Sequence, residues 1–147
     1  MTKSRPVWVK TSLLAVAGAL GFWFANFAIS LTPVAADYRA GLSIAYVPML
    51  IEALAGGLVI GLCVSFGLLR FCTSIPTHSP VMKSLVLCVV ALVVVTVVVE
   101  IPGKFLTPTP DATRYFVIAA VFNLLRLAAL GLAVGLLYER VEHPVRT

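Results

Sequence analysis

Four long apolar stretches, separated by short polar segments, run along the chain at 7–31, 43–69, 81–101 and 115–138. None has the residue-by-residue alternation of a strand that faces lipid on one side only. Inside a bilayer each backbone N–H and C=O must be satisfied within its own segment, so each stretch predicts a membrane-spanning helix. About 20 residues cross the ~30 Å hydrocarbon layer. The third stretch contains Val93-Val94-Val95 and Val97-Val98-Val99, which would favour a strand in water; in lipid, backbone satisfaction outweighs that preference. Only 16 uncharged residues separate Lys83 from Glu100. At 1.5 Å per residue that is short of a full crossing, so Glu100 is expected at a membrane interface.

Composition agrees with the pattern. Of 147 residues, 61% are hydrophobic and 12% charged, whereas a soluble domain carries about a quarter charged residues. Four spans with short loops fill the length, which leaves one domain, 1–147, and no room for a soluble catalytic unit. The fold class expected is all-α membrane: four transmembrane helices in two helical hairpins, about 1–73 and 74–147. The basic start (Lys3, Arg5, Lys10) and Val34-Ala35-Ala36 imitate a secretory signal. The uncharged run 11–36 is much longer than a signal core, however, and reads as a retained span.

The net charge of +5 reflects basic residues flanking spans rather than a nucleic-acid surface. Lys3, Arg5, Lys10, Arg70, Lys83, Arg140 and Arg146 fall on one side; Arg39, Lys104 and Arg114 fall on the other. This asymmetry puts both termini in the cytoplasm. The location expected is a multi-pass position in a cell membrane of the bacterial inner-membrane kind. Trp8, Tyr115 and Tyr138 fall near the span ends, as interfacial anchors would.

The two halves share features. Leu31-Thr32-Pro33 recurs as Leu106-Thr107-Pro108, 75 residues later; Asp37 recurs as Asp111, and Gly57 and Gly61 as Gly131 and Gly135, 74 residues later. Glycine matches come cheaply in a membrane sequence, so Leu-Thr-Pro and Asp carry most of the weight. An internal duplication would make each half a hairpin whose Asp N-caps the returning helix. The pseudo-axis would lie along the membrane normal.

Two ionisable residues fall within spans, Glu52 and Arg126, and the 74-residue offset superposes them. A lone charge at the bilayer centre costs about 2.5–3.5 kcal/mol on insertion scales. The expectation is an inward-facing ion pair or shared polar network, with Asn123 on the Arg126 face three residues away. Removing either charge would then destabilise the fold, and removing both would partly restore it. The network reads either as a structural clasp or as an ion, proton or substrate site; Arg126 pairing with another subunit is a third possibility. Pro48, four residues before Glu52, is expected to kink the second helix. Small residues at spacing four (Gly57 and Gly61; Gly131 and Gly135; Gly21 between Ala17 and Ala25) predict close helix packing.

Cys63, Cys72 and Cys88 form no metal-like spacing, and Cys72 with His78 is a weak signal. The sequence has no nucleophile–base set, P-loop or dinucleotide fingerprint. No enzyme activity, cofactor or metal is expected. The leading expectation is a non-catalytic accessory or structural subunit, or assembly partner, of a larger membrane complex. Its partners would be the lipid bilayer and other membrane subunits or further copies of itself. The alternative is a small oligomeric transporter or channel using Glu52 and Arg126.

Overall fold

The computed structural model describes residues 6–142. Lys3, Arg5, His143 and Arg146 lie outside them, as does the Glu142 side chain. Among the described residues the chain is all helical: α1 (Val7–Ser30), α2 (Pro33–Gly41), α3 (Tyr46–Phe71), α4 (Pro80–Val95), a π-helical turn (Thr96–Glu100), α5 (Ile101–Phe105) and α6 (Ala112–Glu142). Four segments are long and apolar enough to cross a membrane: Val7–Ser30, Tyr46–Phe71, Pro80–Phe105 and Ala112–Val141. The chain is thus a multi-pass membrane protein.

Local chemistry explains the boundaries. Thr32 N-caps α2, its Oγ1 accepting from the Ala35 N–H at 3.2 Å, and Pro33 takes the first helical position, where its missing N–H is no loss. Ser43, with φ of 53°, turns the chain into α3. Pro48 is the third residue of α3. It occupies the first turn, whose N–H groups have no intrahelical acceptor, so the predicted kink has no physical cause. Pro102 has a different effect. Four residues before it a helix would normally offer a carbonyl that clashes with the ring. Here the preceding turn widens, and the Ile101 N–H bonds to Thr96 O, five residues back. Such a π-turn adds a residue and changes the face that follows.

The helices pack antiparallel through small residues. A Cβ added at Gly57 would meet Phe22 at 3.1 Å, and one at Gly61 would meet the Ala15 carbonyl oxygen at 2.8 Å, joining α3 to α1. At Gly21 it would meet the Ala129 carbonyl oxygen at 2.9 Å, joining α1 to α6. At Gly131 it would meet Cys88 Sγ at 3.0 Å, and at Gly135 the Val81 Cα at 2.5 Å, joining α6 to α4. The Ser84 hydroxyl, between the Val81 and Gly131 carbonyls at 2.8 and 2.5 Å, adds a polar tie between α4 and α6. Leu14, Phe22, Val64, Leu68, Cys88, Leu127, Leu130 and Val134 form the core.

The burial pattern pairs α1 with α6. Each buries 39% of its most apolar stretch, against 17% for Tyr46–Phe71 and 11% for Pro80–Phe105. A duplication would equate α3 with α6 and α1 with α4, and these pairs differ in burial. The two Asp residues differ as well. Asp37 lies inside α2 and pairs with Arg114 at 2.5 Å, so it does not cap α3, whose N-cap is Ala45. Asp111 takes a φ of 50° just before α6. The valines of the third span, from Val89 to Val99, are largely exposed, consistent with a lipid-facing surface. Trp8 is exposed, but Tyr115 is buried, edge-on to Tyr38 and directly under Gly41; it is a packing residue rather than an anchor.

Candidate functional site

A cavity of about 140 Å³ opens between α1, α2, α3 and α6, near the α2 end of the bundle. Its polar lining comprises Asn26, Ser30, Tyr38, Arg39, Glu52 and Arg126. The long α6 places Arg126 roughly midway between Tyr115 and Tyr138. Side chains on a helix lean toward its N-terminus, so the guanidinium points toward the α2 end. It lies over two aromatic faces, 5.8 Å from the Phe122 centroid and 6.0 Å from that of Phe22, a cation–π cradle.

Arg126 and Glu52 line the same cavity but form no ion pair. Glu52 is exposed on α3 and has no hydrogen-bond or ion-pair partner among the described residues. The expected direct clasp is therefore corrected. Its geometric cause is that α3 turns Glu52 toward the flank of the bundle, while Gly57 and Gly61 take the face against α1.

The acid that joins the Arg126 network is Glu100. Arg126 Nη1 donates to Asn123 Oδ1 at 3.2 Å, and Asn123 Nδ2 donates to Glu100 Oε1 at 2.8 Å. Lys104 Nζ lies 4.0 Å from Glu100 Oε2 and 5.2 Å from the Tyr38 ring centroid. Glu100 is thus turned inward against α6, and it is the last residue of the π-turn. The i, i+3 relation of Asn123 and Arg126 was legible in the sequence; the inward turn of Glu100 was not.

Asn26 is the residue that sequence reasoning missed. It is 1% exposed, and among the described residues neither its Nδ2 nor its Oδ1 has a partner; Arg126 Nε is likewise buried and unpaired there. An unsatisfied buried polar group costs about 1–3 kcal/mol. The available signal was a lone Asn within the uncharged run 11–36. Arg39 donates from Nη1 to the Ser30 carbonyl at 3.1 Å and stacks over Tyr46 at 5.1 Å. Two guanidiniums and one carboxylate give the cavity a net positive lining.

Among the described residues no three His, Cys, Asp or Glu side chains come together as a metal site would require. Comparison with known proteins gave no match to a family model, a curated protein or a solved structure.

Proposed function

We propose that this protein is a non-catalytic subunit, or assembly partner, of a larger membrane complex, with both termini in the cytoplasm. The observation that carries the reading is Glu52. It is an ionisable residue within a membrane-spanning helix, exposed and without a partner among the described residues. Such residues generally face protein or a water-filled cavity rather than lipid. Beside it on the helix surface, Ala55 is exposed and a Cβ at Gly56 would meet nothing within 4 Å. A small-residue face beside an unpaired acid admits a second helix closely and offers its basic or hydroxyl side chain a partner. The distribution of Lys and Arg supports the orientation.

The test is purification at native expression in a mild detergent, followed by native mass measurement. A stable complex with unlike chains, lost on Glu52→Leu and on Gly56→Leu while the isolated chain stays folded, is the expected result. A lone homodimer indifferent to both changes would refute it.

A second reading has one specific observation in its favour: Glu52 and Arg126 line a common cavity. A small transporter would use them as a solute site. Solute flux in proteoliposomes that disappears with Glu52→Gln would favour it over the subunit role.

A further inference from the structure

We propose that the cavity between α1, α2, α3 and α6 binds one oxyanion group, a phosphate or carboxylate, with Arg126 as the charged anchor and the Asn26 amide as a second donor. Three observations converge on this chemistry. Asn26 is almost fully buried at the cavity wall, with both amide atoms unpartnered among the described residues. Arg126 has five N–H donors, and its one hydrogen bond among the described residues uses Nη1, with Nε buried and unpaired. Arg39 adds a second guanidinium to the lining, so the positive charge outweighs the single carboxylate of Glu52.

Guanidinium donors match the paired oxygens of phosphate or carboxylate, and such charge-assisted bonds are among the strongest available. The volume of about 140 Å³ equals that of roughly four or five waters. It fits one such group and is well below the ~300–1,000 Å³ of a drug-sized pocket. The oxyanion has two sources: a free solute, or the phosphate of a lipid whose tails remain in the bilayer beside the bundle. The proposal does not depend on whether a partner covers Glu52.

The experiment is thermal unfolding of the full chain in a non-ionic maltoside detergent. Inorganic phosphate or acetate is compared with chloride at matched ionic strength, and in a second arm phosphatidic acid is added to the micelles against phosphatidic-acid-free controls. Wild type is expected to gain several degrees in at least one arm. A gain with the free anions identifies a solute site; a gain with phosphatidic acid alone identifies a headgroup site. Asn26→Leu, which fills the wall with an apolar side chain of similar size, is expected to fold and to lose the gain. Arg126→Gln should lose it too, but Asn26→Leu decides the matter if that variant does not fold. No gain in either arm, or a gain unchanged in Asn26→Leu, overturns the proposal.

Discussion

Asn123 holds Glu100 against α6, donating from Nδ2 to Oε1 at 2.8 Å. The contact crosses from the π-turn to the middle of the longest helix, and Asn123 passes it on to Arg126. Glu100→Ala would leave the Asn123 amide without its acceptor and Lys104 without its nearest carboxylate. The expected loss is about 1–2 kcal/mol, the upper part of the range for side-chain hydrogen bonds in membrane helices. Glu100→Gln keeps an acceptor and should lose about half as much. Reversible unfolding in mixed micelles measures both, and equal losses would show that the carboxylate charge, rather than the hydrogen bond, holds the contact.

Two glycines, Gly135 in α6 and Gly56 in α3, make opposite predictions. Gly135→Ala brings a methyl within 2.5 Å of Val81 Cα and 2.7 Å of Ser84 Oγ, and backbone cannot yield as a flexible side-chain tip can. It should destabilise by about 1–3 kcal/mol. Gly56→Ala meets nothing within 4 Å and should be neutral or stabilising by up to about 1 kcal/mol, since Ala is the better helix former. The same unfolding assay on the isolated chain checks the pair; a similar cost at both positions would mean that helix contact does not govern these glycines.

These contrasts mark what a sequence can reveal here. The spans were legible because hydrocarbon demands long unbroken apolar helices, and 7–31 differs from Val7–Ser30 by one residue. The face of Gly57 and Gly61 was legible because a four-residue spacing stacks small residues on one side. A charge in a span implies a partner but not its direction: the repeat offset brings Glu52 and Arg126 to one cavity, but it does not say whether they bond. Counting residues at α-helical rise places Glu100 near the end of its span but does not say which face it takes. The π-turn forced by Pro102 alters the phase of the helix, which a count of uncharged residues does not register. The short α2 has its signals in place, with Thr32-Pro33 to start and Arg39 in the last turn, but it lies in the segment between two apolar runs, where the hydrophobic pattern alone marks no element.

Orientation has its own test. The loop between α3 and α4 is expected in the cytoplasm and the segment between α5 and α6 outside. Ser74 and Pro108 are exposed at these two places. With Cys63, Cys72 and Cys88 replaced by Ala, Ser74→Cys should react with a membrane-impermeant maleimide only after the membrane is opened. Pro108→Cys should react in intact cells. The reverse pattern would invert the topology, and reaction of both in intact cells would remove the four-span arrangement.

The most direct consequence of the geometry concerns Glu52 and Arg126. An ion pair would make Glu52→Gln and Arg126→Leu non-additive, with the double change milder than the sum. The two line one cavity but share no bond: among the described residues Glu52 is exposed and unpartnered, and Arg126 donates to Asn123. Groups that line one cavity but share no bond should couple more weakly than a directly bonded pair, whatever the sign of the Arg126→Leu effect. The internal standard is the cycle of Asn123→Ala with Arg126→Leu. These residues do share a hydrogen bond, and their coupling should reach about 0.6–1.7 kcal/mol. Both cycles are read by unfolding the isolated chain in the same micelles. A larger coupling for Glu52 with Arg126 than for Asn123 with Arg126 would restore the direct clasp. It would also take away the unpaired acid on which the proposed subunit role rests.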